Sequence, residues 1–212
     1  VMTNSPDERG IDVALLYSPL SFRLVKSHSV RVNPIKGMRP TRDILYAEGI
    51  IASGDTLHVV AVHLPSRRGG ERSSRPFRMA AASRVAAIVD SIYNNVSPDA
   101  KIIIAGDFND YTRSSSLQLL CSKDMTDISS NATGRNGAKG TYRYKGEWSS
   151  LDHIIVSRKL LPLVVGCNVN DANFLIEPDG QYGGVKPRRN YIGPRYNNGF
   201  SDHLPLVATF RM

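Results

Sequence analysis

Polar residues that could do chemistry follow several apolar runs of this sequence, at the points where those runs end. The run Ile102–Ala105 leads into Asp107 and Asn109, and a valine-rich run leads into His63. Because strand ends are where a rigid sheet can direct side chains into a shared site, we expect these residues to meet. Carboxylate and amide oxygens suit Mg²⁺ or Mn²⁺ rather than zinc, whereas histidine exchanges protons near neutral pH. The pattern predicts one site that combines a divalent cation with proton-transfer groups.

Two further strand-like runs begin with residues of the same kinds. Asp152 lies at the start of LDHIIVS, and Asp202 and His203 lie at the start of SDHLPLVATF. Each has a plain structural alternative, since such an aspartate often caps a turn and a single histidine such as His63 is often a partly buried packing residue. Polar residues at four strand boundaries are much rarer when each arises independently than when all of them belong to one site. A carboxylate beside a histidine also fixes its tautomer and raises its pKa, so the set favours a catalytic site.

The elements that must position these residues are strands and helices that alternate along the chain. Runs rich in β-branched residues predict strands, and apolar residues at spacings of three and four predict a long helix that ends near Tyr93. The predicted strands are Ile11–Tyr17, Ile44–Ser53, Leu57–Leu64, the run around Ile102–Ala105, TYRYKG, LDHIIVS and LPLVATF, and a short helix is predicted over about Ser114–Leu120. The apolar face of the long helix contains Phe77, Ala81, Val85, Ile88 and Ile92. Strands with helices between and around them predict an α/β sandwich.

The length and charge of the chain limit its class. With 212 residues it is long enough for one compact domain, and we interpret residues 1–212 as a single domain. No apolar run approaches the roughly 18 to 20 residues that span a bilayer, so no transmembrane segment is predicted. The 27 Lys and Arg against 19 Asp and Glu give a formal charge of +8, which favours a negatively charged partner such as a phosphate-ester substrate or nucleic acid. A solvated charged surface is the alternative explanation.

The basic residues concentrate in two segments beside the predicted site. One segment lies between the His63 strand and the long helix, and the other lies in the irregular region Asn170–Phe200, which is rich in Gly, Pro, Asn and Tyr. We interpret as substrate-binding the residues Arg67, Arg68, Arg75, Lys186, Arg188 and Arg189, and Arg78 belongs to the first segment as well. Lys and Arg grip the phosphates of nucleic acid backbones in this way. The alternative is again a solvated face.

The cysteines and the N-terminus leave the compartment open. Cys121 and Cys167 lack the spacing of a zinc or redox motif, so we interpret both as packing residues, with a single bridge between them undecided. The first ten residues, VMTNSPDERG, contain no visible signal peptide. We expect a soluble protein, and secretion or export to the periplasm would require a signal peptide upstream of Val1.

Four short motifs, in this order, resemble the endonuclease/exonuclease/phosphatase superfamily. They are VAVHLP, AGDFN, WSSLDHIIVS and SDHLPLV, and the similarity extends over nearly the whole chain. GDFN and SDH are weak patterns alone, but they are fairly specific with the LDH strand between them. The resemblance implies a deoxyribonuclease-like fold, a two-layer β-sandwich flanked by helices. It also implies a metal-dependent hydrolase that uses activated water to cleave a phosphodiester or phosphomonoester in nucleic acid, a lipid headgroup or an inositol phosphate.

The resemblance implies a catalytic role for five of the polar residues. Asp107 would position or deprotonate the attacking water, and Asn109 would orient the phosphate. His203 would lie against the scissile phosphate, oriented by Asp152, and His63 would be a second histidine on the phosphate side. These roles fit the physics, because water attack on a phosphorus surrounded by negative oxygens needs a cation, proton donors and a positioned water.

The metal site departs from the family pattern. The resemblance implies Mg²⁺ or Mn²⁺ as cofactor and Asp202 as one of its ligands. The family's principal ligand is a glutamate in a segment that precedes the part matched here, and Glu8 is a poor substitute because it lies in the lead-in to a later strand. We therefore expect an N-terminally truncated family domain that is poorly active alone, with the missing segment supplied by the full-length chain. A non-catalytic phosphate- or partner-binding module is the alternative function.

Overall fold

The computed structural model describes residues 1–211. The helices in that range are α1 (Glu71–Asn95) and α2 (Ser115–Cys121), with single 3-10 turns at Leu161–Leu163 and Asn173–Leu175. The strands are β1 (Phe22–Val30), β2 (Ile44–Ile51), β3 (Thr56–His63), β4 (Lys101–Asp107), β5 (Met125–Asp127), β6 (Tyr142–Tyr144), β7 (Glu147–Ser149), β8 (Asp152–Ser157), β9 (Val164–Val169), β10 (Ile176–Pro178), β11 (Val185–Pro187), β12 (Tyr191–Ile192), β13 (Arg195–Tyr196) and β14 (Leu206–Phe210).

The main sheet has six strands in the order β1-β2-β3-β4-β8-β5. Strands β3 and β4 are parallel, with Val60 opposite Ile104, and all other neighbours in this sheet are antiparallel. A parallel pair needs a crossover connection, and α1 provides it. As a result, the ends of β3 and β4 and the beginning of β8 lie at the same edge of the sheet.

Helix α1 covers one face of the main sheet because its apolar residues recur on a single side. Ala81, Val85 and Ile92 are buried in a core with Val60 and Ile104, whereas the outer side of the helix is polar. Full burial of a side chain such as valine contributes about 1.5–3 kcal/mol, so this face accounts for much of the helix's stability. The predicted helix is confirmed, and it extends two residues beyond Tyr93.

The opposite face of the sheet packs on β9 and β14, which pair antiparallel with Ala208 opposite Cys167. Leu206, Ala208 and Phe210 lie partly buried against a second core that includes Val156. The six-stranded sheet thus lies between a helical layer and a layer of strands. The predicted fold class, an α/β sandwich flanked by helices, is confirmed.

Near the N-terminus one predicted strand is wrong and one strand of the main sheet was not predicted. The predicted strand Ile11–Tyr17 forms only an isolated bridge between Ala14 and Met2, because this segment folds back on the first residues through Thr3 and Asp12. The sheet edge is instead β1, which the sequence did not reveal because its residues are mostly exposed and polar. An edge strand with one solvated side lacks the apolar run by which the inner strands are recognised.

The later part of the chain also differs in detail. The irregular region Asn170–Phe200 contains two small hairpins, β10-β11 and β12-β13. Cys121 and Cys167 are both free and half-buried, so no bridge joins them. Across residues 1–211, no helix has the length and apolar character that crossing a bilayer requires.

Candidate active site

Three of the predicted site residues form a row across neighbouring strands at one edge of the main sheet. His63 is the register partner of Asp107 in the parallel β3–β4 pair, and Asp107 is the partner of Asp152 in the antiparallel β4–β8 pair. Residues directly opposite on adjacent strands project from the same face of the sheet. His63 Nε2 accordingly lies 3.5 Å from Asp107 Oδ2. Strand register alone therefore brings together residues that are far apart in the sequence.

The turn after β4 holds Asn109 against Asp107. Gly106 has φ 144°, and a Cβ there would lie 1.9 Å from the carbonyl oxygen of Val62, so only glycine fits. The chain then turns through Asn109, whose φ of 50° is left-handed. Its backbone N–H donates to Asp107 Oδ1 at 2.7 Å, and its side-chain amide donates to Asp107 Oδ2 at 3.1 Å and to the Leu64 carbonyl at 3.0 Å. The carboxylate and the amide are thus held side by side.

His203 reaches the row from the strand layer, which covers the face of the sheet from which the row projects. Its Nδ1 lies 2.7 Å from Asp152 Oδ2, which is the contact expected from the sequence. A β-bridge joins its backbone to Tyr142, and the two rings lie 4.9 Å apart between centroids. Because Nδ1 is engaged by the carboxylate, Nε2 is the ring nitrogen available to a substrate.

The pKa values of the two histidines of the site shift in opposite directions. Burial, reinforced by the nearby charge of Arg42, lowers the pKa of His63 to about 4. Burial alone would also lower the pKa of His203, but the hydrogen bond and the charge of Asp152 raise it above its usual value. Burial and the charge of Asp152 raise the pKa of Asp107 to about 6. At neutral pH the site therefore contains an uncharged imidazole at His63, beside an Asp107 carboxyl and a His203 imidazole whose pKa values are both raised.

The same residues fit a divalent cation. Asp107, Asp152 and His203 each offer one ligand atom, and these atoms all lie within 4.8 Å of one another. Two carboxylates opposite each other on adjacent strands repel, and a cation between them would remove that cost. Asp202, which the sequence predicts as a ligand, is exposed and lies outside this group.

The family of this chain follows from comparison with known proteins. The family model described as "Endonuclease/Exonuclease/phosphatase family" matches residues 1–212. The chain belongs to this family. A comparison with curated protein sequences gives no significant match.

Several solved structures share the fold of this family member at low sequence identity. A conserved protein of unknown function from Enterococcus faecalis has 17% identity and a TM-score of 0.65 over 100% of this chain and 76% of its own. The mannosyl-6-phosphatase Bt3783 of Bacteroides thetaiotaomicron has 18% identity and a TM-score of 0.60, covering 91% of this chain and 68% of its own. Truncated TDP2 of Caenorhabditis elegans has 20% identity and a TM-score of 0.57, covering 90% of this chain and 66% of its own. At these identities the similarity establishes the deoxyribonuclease-like fold.

Two of the predicted substrate-binding residues border the row of this family member. Arg67 donates from Nε to the Asn109 carbonyl at 2.9 Å, and its guanidinium lies 3.8 Å from the ring centroid of Tyr111. Arg189 lies 5.6 Å from the ring centroid of Tyr142, the residue that packs against His203. Each guanidinium group therefore contacts a residue of the site or a residue that packs against one.

The other predicted basic residues are placed differently. Arg75 is exposed and pairs with Glu71 along α1 at 3.0 Å, and Lys186 pairs with Glu177 at 3.6 Å. The backbone N–H of Arg188 donates to the Leu175 carbonyl at 2.8 Å. Arg68 lines a separate cleft beside Pro65.

Arg78 is not available to a substrate. It is fully buried, with Nε 2.9 Å from Asp110 Oδ2 as an ion pair without hydrogen-bond geometry, and Nη1 donates to Ser74 Oγ at 2.7 Å. Its grouping with the surface arginines is wrong, because it lies on the apolar face of α1. A buried ion pair of this kind supports the turn that contains Asn109.

Sequence reasoning missed several residues that support the site. Arg42 is buried and donates from Nε to the His63 carbonyl at 3.1 Å and from Nη2 to the Leu64 carbonyl at 2.6 Å. His153 lies 2.9 Å from Asp127 through Nδ1 and 3.0 Å from the Asp110 carbonyl through Nε2. His153 could have been found from the sequence, because it is the histidine of the LDH motif. The residues around Arg42 contain no pattern that indicates its contact with the His63 strand.

Proposed function

We propose that this protein hydrolyses a phosphoester by water attack at the row formed by His63, Asp107 and Asp152. The observation that carries the proposal is the convergence of a poised carboxylate and a carboxylate-bound histidine, Asp152–His203, at the edge of the sheet. The family assignment supports it, as does the fold shared with a protein named as a mannosyl-6-phosphatase.

The proton chemistry follows from the environment of each group. Asp107, held beside the amide of Asn109, positions the attacking water or accepts its proton. His203, with its pKa raised by Asp152 against the effect of burial, donates from Nε2 to a phosphoryl oxygen. Uncharged His63 and the amide of Asn109 orient the phosphate. Each of these roles is a proposal that variants at the corresponding position can test.

We propose Mg²⁺ or Mn²⁺ as the cofactor, held by Asp107 and Asp152 beside His203, with Asp202 contributing a further carboxylate. A bound divalent cation supplies positive charge to the phosphoryl oxygens as the reaction proceeds. The protein's own contribution is to hold the two carboxylates on rigid strands, so that little reorganisation is needed when the phosphate arrives.

The substrate is a phosphate ester, and nucleic acid, a lipid headgroup, an inositol phosphate and a sugar phosphate are the candidates to screen. The formal charge of +8 favours a polyanion. The rival function is a module that binds a phosphate ester or a partner without hydrolysing it. Such a module would use the same basic surface, but its binding would not require Asp107.

The test uses the full-length gene product with Mg²⁺ or Mn²⁺ on a panel of these esters. We expect Asp107→Asn and His203→Gln each to lower kcat by about 100-fold or more. The matched control Asp99→Asn changes an exposed aspartate outside the site and leaves turnover unchanged. Calorimetry adds a readout independent of turnover, since the Asp107→Asn variant should bind Mn²⁺ more weakly. Binding of an ester by the wild type with no hydrolysis of any panel member would instead establish the binding module.

A further inference from the structure

A basic cleft lies beside the end of β3, the strand that contains His63. It has a volume of about 380 Å³ and is formed by three segments, residues 7–9, 37–42 and 65–69, with Phe77 of α1 behind them. Pro65 and Ser66 line it and follow His63 by two and three residues. The cleft therefore lies beside the end of the strand that contains His63.

Arg42 joins this cleft to the catalytic strand. Its side chain is buried, and two of its nitrogens donate to the carbonyl oxygens of His63 and Leu64 at 3.1 and 2.6 Å. A third nitrogen donates to Asp7 Oδ2 at 3.1 Å, which ties the N-terminal segment to the same place. One buried guanidinium thus fixes both the wall of the cleft and the backbone that presents His63.

The cleft has an excess of positive charge. Its lining contains four arginines and two acids, Asp7 and Glu8, which leaves a net formal charge of +2. Asp7 is shared between Arg42 and Arg9, and Glu8 pairs with Arg39 at 3.1 Å. The remaining arginine, Arg68, makes no ion pair within residues 1–211. A phosphate group carries a charge of roughly −1.5 to −2 at neutral pH, so it would balance this excess.

The arginines at the mouth of the cleft can turn to an incoming anion. The side chains of Arg9 and Arg39 are 48% and 82% exposed. Exposed ion pairs are worth about 0–1 kcal/mol, so exchanging Glu8 for a phosphate costs Arg39 little. Guanidinium groups bind phosphate through two parallel N–H donors, which makes the exchange favourable.

One wall of the cleft is apolar. Met38, Pro40, Pro65 and Phe77 line it, and the ring of Phe77 approaches the turn at Gly37. A sugar, base or inositol ring that links two phosphates would pack against such a wall. A site that binds only an inorganic anion would not need an apolar wall.

We propose that this cleft binds a second, non-scissile phosphate of the substrate, so that the protein acts on phosphate esters that carry at least two phosphate groups. The inference rests on the proposed hydrolysis at the neighbouring row. Oligonucleotides and inositol polyphosphates share the required chemistry, and separate arms of the experiment distinguish them.

The experiment measures how strongly a second phosphate improves the substrate. In the nucleotide arm, thymidine 5′-(p-nitrophenyl phosphate) is compared with its 3′-phosphorylated form, and in the inositol arm an inositol monophosphate is compared with a bisphosphate. The ratio of KM values between the two members of a pair is the measured quantity. We expect wild type to prefer the bisphosphorylated member in one arm, and the double variant Arg39→Ala/Arg68→Ala to reduce that preference by about 10-fold or more. The control Arg84→Ala/Arg158→Ala removes the same charge from exposed positions and should keep the wild-type ratio.

A binding measurement separates this proposal from the proposed hydrolysis. Calorimetry with thymidine 3′,5′-bisphosphate, thymidine 5′-monophosphate and the corresponding inositol phosphates needs no turnover. A protein that binds a bisphosphate more tightly through Arg39 and Arg68 but hydrolyses nothing would leave the cleft in place and overturn the hydrolase. Equal KM and Kd values for both members of each pair, or an equal loss in the control variant, would overturn the cleft.

Discussion

The ion pair between Arg78 and Asp110 offers a direct test of how this fold supports its candidate site. Arg78 is fully buried and Asp110 is 1% exposed, so the substitution Arg78→Met would leave a carboxylate buried without its main cation. Breaking a buried pair in this way costs about 3–5 kcal/mol. The lower end applies here because Ser116 Oγ also donates to Asp110 at 2.6 Å and Arg67 lies 3.4 Å away. For a protein of this size, a loss of about 3 kcal/mol corresponds to a fall in Tm of about 6–12 °C.

Urea unfolding followed by the fluorescence of Trp148 measures this loss. The control Arg84→Met lies on the same helix at an exposed position and should change the free energy of unfolding by less than about 0.5 kcal/mol. The double variant Arg78→Met/Asp110→Leu removes both charges and should regain most of the stability, because no buried charge is left alone. If Arg78→Met costs less than about 1 kcal/mol, or if the double variant is less stable than the single one, the pair does not act as described.

Two further predictions concern the row itself. Gly106→Ala should unfold the protein or displace the ends of β3 and β4, since its Cβ would lie 1.9 Å from the Val62 carbonyl oxygen. Circular dichroism and thermal melting will check this, with Gly180→Ala as the control, because Gly180 is exposed and has open space around its Cβ. Asp152→Asn should lower the pKa of His203, because burial opposes protonation and the carboxylate that outweighs it is lost. Since its folded pKa is raised, protonated His203 contributes stability below its unfolded pKa, and this contribution is lost as pH rises through the folded pKa. An NMR titration of the histidine ring that leaves the pKa of His203 unchanged in the variant would contradict the assigned contact.

The strand ends and the long helix could be predicted from the sequence because both depend on local patterns. The apolar run Ile102–Ala105 becomes the inner strand β4, and the spacing of Ala81, Val85 and Ile92 becomes the buried face of α1. The resemblance carried by GDFN and SDH then supplied the family, which the comparison confirms. In each case a few neighbouring residues contain the signal.

The register that aligns the site could not be predicted from the same patterns. Nothing local states that His63 lies opposite Asp107 or that Asp107 lies opposite Asp152. A shift of one residue would turn each side chain to the other face of the sheet. The edge strand β1 and the contact of Arg42 with the His63 carbonyl escaped for a related reason, since both depend on tertiary neighbours rather than on sequence pattern.

The different positions of two neighbouring arginines show what a count of charges omits. Arg78 lies seven residues before Val85, so helical periodicity places it on the buried face of α1, whereas Arg75 falls on the exposed side. A charge at an apolar position of a helix predicts a buried partner of opposite sign, and Asp110 is that partner. The pair holds the segment that follows Asn109, so a residue that the sequence groups with the basic segment beside the site instead supports the turn of the candidate site. The same logic applies to Arg42, which is buried, paired with Asp7 and bonded to the strand of His63. The charge that remains for a substrate is therefore the part left after the buried pairs are subtracted, and one portion of it lies in the cleft beside His63.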